Sequence, residues 1–391
     1  MAKVSPEVAA LQADLTKWRR HLHTHPETGF EEFATTEFIV ETLSGMGIAA
    51  SRPGPTGAVA DIVGGRPGPT IAVRADIDAL PVQEENDIAY RSVNAGRMHA
   101  CGHDGHTAIL LGLAKILQSE KDELPGRVRL IFQPAEEKPP GGAQAMIKAG
   151  ALEGVAHVIG LHLWSELPTG TAGIAPGPLM ANADEFTATI VGRGGHGSAP
   201  HQTVDSIVLA SQYVTALQTV VSRRVDPLQP AVVSVGTIHG GFTFNVIAPE
   251  TTVTGTVRSF DAATRDLIEK EMERILKGIC SQAGAEYRFE FRRGYPAVVN
   301  DPAVTDLFKR AAQAVLGNDA VVHHPPVMGG EDFAYYGQVV PSAFLFLGAR
   351  NPDKGASYPH HHPRFNIDED ALPIGVEVFR RAVYDLLSER T

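Results

Sequence analysis

Ile71-Ala72-Val73-Arg74-Ala75-Asp76-Ile77-Asp78 is the stretch on which the fold turns. It reads as a short strand, led by an apolar run and ending in charge. Outward from it, the chain keeps switching between strand and helix. Upstream, residues 32–46 have the pattern of a helix. Downstream, 107–118 is amphipathic, with Asp104 placed to cap its start. Residues 128–132 form a strand with little polar content, as expected for a sheet covered on both faces, and 157–163 form another. From about residue 5 to 180 this alternation predicts an α/β unit built on an open sheet.

The rhythm changes over 182–295. Strands at 186–191, 232–238, 251–259 and 287–292 are interleaved with helices at 205–221 and 262–282. That order, β-α-β-β-α-β, is the split βαβ pattern of a small ferredoxin-like α+β layer. After Pro296 the α/β character returns, with a helix at 303–316, a strand at 343–347 and a last helix ending near Glu389. The expectation is a discontinuous catalytic domain, 1–181 and 297–391, with a smaller domain, 182–296, inserted in it. The length agrees, since 391 residues exceed the roughly 250–300 at which a single core stops growing.

With 43% apolar and 20% charged residues, the composition is that of a globular chain and excludes disorder. A formal net charge of −11 without a long basic run argues against nucleic acid or an anionic membrane surface as partner. No run approaches the roughly 20 apolar residues of a membrane span. Residues 1–18 lack the charged, apolar and small-residue segments of a signal peptide and read as the start of a helix, so a cytoplasmic location is expected. The two cysteines, Cys101 and Cys280, make no disulfide framework. Cys280, on a long helix, reads as a core residue.

Four segments carry chemistry. His99-Ala100-Cys101-Gly102-His103-Asp104-Gly105-His106 gathers a thiol and imidazoles just before a helix, the donors a borderline transition metal prefers; the alternative is a capped helix with one buried cysteine. Phe132-Gln133-Pro134-Ala135-Glu136-Glu137 follows an apolar strand, where open α/β sheets bind ligands. One of its paired carboxylates can hold metal while the other accepts a proton from the attacking water; a solvated acidic loop is the plain alternative. His162 closes Ile159-Gly160-Leu161-His162, and gains weight as a ligand only beside the other two segments. Tyr358-Pro359-His360-His361-His362-Pro363 offers three histidines, of which one is favoured as a ligand.

Together these segments resemble the M20 metallopeptidase family, and within it the N-acyl-amino-acid amidohydrolases that include hippurate hydrolases. The resemblance extends through Arg19-Arg20-His21-Leu22-His23, Gly29-Phe30-Glu31-Glu32, the strand end 74–81, Gly194-Gly195-His196, Asn245-Val246-Ile247 and Glu331-Asp332-Phe333. It implies an open-sheet catalytic domain of the zinc-exopeptidase type with an inserted ferredoxin-like dimerisation domain. It also implies two divalent ions per subunit, drawn from Mn2+, Zn2+, Co2+ and Ni2+. Cys101 would bridge them, with His103 and His162 on one ion and Glu137 and His361 on the other; His360 and His362 compete for the last place. Glu136 would be the general base, and Asp76 and Asp104 would orient imidazoles. His196 would stabilise an oxyanion, reaching the active site of a partner copy, while Asn245 and Arg258 hold the substrate. His21, His23 and His25 are not expected to bind metal.

The activity so implied is hydrolysis of N-acyl amino acids by a homodimer joined through the inserted domain, with further pairing to a tetramer left open. A carboxypeptidase or dipeptidase of the same architecture is the alternative, and a metal-dependent binding protein without catalysis is the reading from another class. One departure from the family pattern is Lys138-Pro139-Pro140 between the paired glutamates and Gly141-Gly142, which stiffens the loop beside the base.

Overall fold

The computed structural model describes residues 2–388. The chain divides into two compact units. The first comprises the residues up to Leu179, Val299–Pro325 and those from Asp332 on; the second comprises Met180–Val298 and Pro326–Glu331. The short return of Pro326–Glu331 to the second unit has no counterpart in the sequence reading.

The first unit is built on an eight-stranded mixed sheet. Its order is Ala50–Ser51, Ala58–Val63, Pro125–Gln133, Arg66–Asp76, Val155–Pro168, Ser342–Arg350, Ala172–Ile174, Val321–His323. The four central strands, from Pro125–Gln133 to Ser342–Arg350, run parallel. Their carboxyl ends therefore open at the same edge, and everything chemical in this unit collects there. The strands of 66–76 and 342–350 are buried over most of their length, which is why they read as apolar runs.

Helix His103–Ser119 is buried on almost every side, so apolar residues surround it rather than forming a stripe. Glycine lets its neighbours close in: a Cβ on Gly112 would lie 2.6 Å from Leu15 Cδ2 and 2.8 Å from Val376 Cγ2, on helices Gln12–Thr24 and Ala371–Ser388. The expected end of the last helix near Glu389 lies outside the described residues.

The cap expected at Asp104 is corrected. The helix starts at His103, and its N-cap is Gly102 at φ 94, a left-handed conformation that glycine adopts without strain. Asp104 lies inside the first turn, where its carboxylate bonds sideways to other side chains.

The second unit is a four-stranded antiparallel sheet in the order Val232–Gly240, Glu250–Arg258, Asp184–Val191, Glu286–Arg292. Helices Ser206–Arg223 and Ala262–Ala283 share its core with Phe186, Ile190, Leu217 and Met272. Each helix is started by an aspartate: Asp205 accepts from the amides of Ile207 and Val208, and Asp261 from that of Thr264. The strand order is the ferredoxin-like one. Among the described residues no helix is long and apolar enough to cross a membrane.

Candidate active site and metal centre

Four segments of the first unit bring the donors together. The turn before helix His103–Ser119 supplies Cys101 and His103, and the left-handed Gly102 between them lets both side chains face one place. The loop after Pro125–Gln133 supplies Glu136 and Glu137. Strand Val155–Pro168 supplies His162. The loop of 358–365 adds His361, itself at φ 65, whose backbone amide bonds to Ala100 O at 2.7 Å.

The donor atoms fall into two triads that share Cys101. One is Cys101, His103 and His162; the other is Cys101, Glu137 and His361. Within each triad all donor atoms lie within 4.8 Å of one another. Cys101 Sγ is 3.4 Å from His162 Nε2, and His361 Nε2 is 3.2 Å from Glu137 Oε1. Glu136 is buried and joins His103 and Glu137 in a third such group.

The imidazoles are pinned from outside. His103 Nδ1–H donates to Asp78 O at 2.9 Å and approaches Asp78 Oδ1 at 3.3 Å. His162 Nδ1–H donates to Leu163 O at 2.9 Å. A carbonyl can only accept, so in the neutral rings the inward Nε2 atoms carry the lone pairs, the tautomer a metal needs. The three adjacent histidines separate on the same criterion. His360 uses both nitrogens, on Ser165 Oγ at 3.0 Å and Leu163 O at 2.9 Å, whereas His362 Nδ1 accepts from the Arg364 amide and its ring stacks on Tyr358. Only His361 of the three turns toward the cluster.

The donor set fits divalent cations. His103 Nε2 is buried without a hydrogen-bond partner, an expensive condition unless another group satisfies it. Without cations the charges are also ill-matched. Burial, with Glu137, Glu136 and Asp76 nearby, pushes the Cys101 thiol well above its ordinary value. Burial opposes charge on His103, yet Asp76, Asp78 and Glu137 outweigh it and push that imidazole up to about 10. Two cations would turn this excess of buried negative charge into ligation.

The two aspartates expected to orient imidazoles bond rings outside the triads. Asp76 Oδ1 accepts from His106 Nδ1 at 2.6 Å and stands 3.7 Å from His103 Nδ1. Its other oxygen accepts from Arg74, which also binds Asp332 and Gln133. His106 Nε2 accepts from the Leu163 amide, steadying the backbone beside His162. Asp104 binds Arg19 and His23, both at 2.8 Å. The group that grips His103 is Asp78, which sequence reasoning passed over. The alternation of charge at 74, 76 and 78 in the sequence was the signal available, although the strand itself stops at Asp76. His99, within the same motif, joins no triad; burial pulls its pKa down to about 3, so it is neutral.

In the second unit, His196 and Asn245 meet. His196 pairs with Val246 across a two-residue ladder, and the Gly197 amide donates to Asn245 O at 2.8 Å. His196 Nδ1 accepts from the Ser198 amide at 3.1 Å, which leaves its Nε2 to carry the proton and donate. Arg258 is half-buried at the end of Glu250–Arg258, bonded to Met328 O at 3.2 Å and to its own strand.

Comparison with known proteins shows the family. The sequence pattern of peptidase family M20/M25/M40 matches residues 72–385. The chain is 50% identical over 294 residues to an N-acyl-L-amino acid amidohydrolase of Geobacillus stearothermophilus, covering 75% of this chain and 80% of that one. It is 42% identical over 377 residues to thermostable carboxypeptidase 2 of Saccharolobus solfataricus, covering 95% of each. Among solved structures, the YXEP protein of Bacillus subtilis, a dinuclear metal-binding peptidase from the M20 family, matches with a TM-score of 0.86 and 37% identity over 97% of this chain and 99% of that one.

Proposed function

The chain belongs to peptidase family M20/M25/M40, and on that premise we propose that it hydrolyses N-acyl amino acids to a carboxylic acid and a free amino acid with two divalent cations. It is a hydrolase of amide bonds; the substrate class and the residue roles are our reading. The observation that carries it is the pair of donor triads sharing one thiol. Cations held there supply Lewis acidity and lower the pKa of a nearby water.

The residues of the chain do the rest. Cys101, His103 and His162 would hold one cation, and Cys101, Glu137 and His361 the other; Mn2+, Zn2+, Co2+ and Ni2+ all suit sulfur, imidazole and carboxylate donors. Glu136 takes the proton from the attacking water and passes it to the leaving amine. His196, its Nε2–H free to donate, stabilises the charge on the acyl oxygen. Asn245 and Arg258 hold the substrate, the guanidinium against its carboxylate.

We assign the metal chemistry to the first unit and dimerisation to the second. The outer edge of Val232–Gly240 ends the four-stranded sheet, and Ile238, Phe242 and Phe244 nearby are 47%, 75% and 99% exposed. An exposed edge with apolar side chains suits a second copy, which would receive His196 in its active site. Pairing of dimers is not implied by any surface described above. A cytoplasmic setting suits a thiol that must stay reduced to bind metal.

Glu136→Gln tests the reading. It keeps the shape and removes the base, so turnover should fall on the order of 10²-fold or more with metal still bound. Near-normal turnover would sink the assignment. The likeness to a carboxypeptidase favours a second substrate class, and relative rates on N-benzoyl or N-acetyl amino acids and on unblocked dipeptides separate the two.

A further inference from the structure

The loop that carries Glu136 and Glu137 is anchored by two buried acidic side chains, Glu32 and Asp78, the second of which also braces His103. Three successive amides point at them. Ala135 N donates to Glu32 Oε1 at 2.7 Å, while Glu136 N donates to Asp78 Oδ1 and Glu137 N to Asp78 Oδ2, both at 3.0 Å. Glu32 and Asp78 are fully buried. Each oxygen of Asp78 takes one amide, so the carboxylate fixes the rotation of the loop as well as its place. Ala135 sits at φ 55, a left-handed turn of the kind that makes successive backbone amides converge on an anion. Gly29 lets its own segment close on the loop: a Cβ there would lie 2.9 Å from Lys138 Cβ and 3.2 Å from Ala135 Cα. Asp78 also takes His103 Nδ1 on its carbonyl oxygen at 2.9 Å.

We propose that Glu32 and Asp78 are positioning residues for Glu136. They hold the backbone of 135–137 in place before any cation arrives, and through Glu137 and His103 they set one donor of each triad. The proposal rests on Glu136 being the base. Its physical ground is that misplacing a reacting group by about 1 Å can cost on the order of 10²-fold in rate. Asp78→Asn is the sharpest probe. An asparagine has the same shape but only one accepting atom, so one of the two amides would face an NH2 group instead of an oxygen.

The full chain is compared as wild type, Asp78→Asn, Glu32→Ala and Glu136→Gln. Turnover of an N-acetyl amino acid is measured with Mn2+ added. Amide hydrogen exchange at 135–137 is measured on the same proteins after chelation, so the second readout needs no metal. Asp78→Asn should lower kcat on the order of 10²-fold with KM within about threefold. Its 136 and 137 amides should exchange more than about tenfold faster than in wild type. Glu32→Ala should speed exchange at 135 and lower kcat by about tenfold. If Asp78→Asn does not fold, Glu32→Ala decides on both readouts. Wild-type exchange and wild-type kcat in a folded variant, with Glu136→Gln inactive, overturn the proposal and leave the function standing. Full activity in Glu136→Gln sinks the base assignment, and with it the kinetic half of the proposal.

Discussion

At the scale of single residues, function turns on which ring nitrogen is free. The sequence offers His360, His361 and His362 as equals. The fold makes them unequal, because His360 is bonded at both nitrogens and His362 stacks on Tyr358, while His361 faces Glu137. His361→Ala should therefore weaken Mn2+ binding by more than about 100-fold, beyond the loss expected for a group that only orients a ligand. His362→Ala should change it by less than about twofold in the same calorimetric titration. The reverse order would contradict the assignment. Glu32 supplies a pH test. Burial, with Asp78 adding repulsion, pushes its carboxyl from 4.5 up to about 7 against the pull of its backbone hydrogen bonds. The fold thus favours the protonated form. The penalty for ionisation is absent below the unfolded value, grows between 4.5 and about 7, and is complete above that, at roughly 3 kcal/mol. A neutral side chain escapes it. The melting temperature of Glu32→Gln relative to wild type should rise between about pH 5 and about pH 8; an unchanged difference would show that Glu32 titrates normally.

At the scale of elements, the strands that matter were legible because they are long and buried on both faces, as in 71–73 and 128–132. Short strands such as Ala50–Ser51, Ala172–Ile174 and Val321–His323 were not, since partners rather than composition define them. The ligands were legible for a related reason: few residue types bind metal, and they cluster at strand ends. The supports were not. Asp76 ends its strand and Asp78 lies two residues beyond it, and which imidazole each meets depends on how helix His103–Ser119 docks. Glycine in the loop after Glu137 gives a test at this scale. A Cβ on Gly142 would lie 2.0 Å from Pro134 O, a backbone atom that cannot swing aside. Gly142→Ala should displace the loop, cost on the order of 1–3 kcal/mol in stability and lower bound Mn2+. A variant with wild-type melting and metal content would show that the loop yields freely.

At the scale of the whole molecule, residues distant in sequence meet because adjacent parallel strands end side by side. Strand Arg66–Asp76 lies between Pro125–Gln133 and Val155–Pro168, so Asp78, Glu137 and His162 converge although the chain visits them far apart. The β-α-β-β-α-β order of the inserted unit was readable from turn and helix spacing, whereas its exposed Phe242 and Phe244 acquire meaning only on the folded surface. Replacing both with aspartate should convert a dimer to monomers in sedimentation velocity; an unchanged sedimentation coefficient would place the interface elsewhere. The claim beneath all of this is that Cys101 would serve both cation sites. Anomalous diffraction from crystals soaked in Mn2+ tests it most directly. The expected result is two peaks flanking Cys101 Sγ, one bonded to His103 and His162 and the other to Glu137 and His361. A single peak, or two peaks that do not share the sulfur, would contradict it.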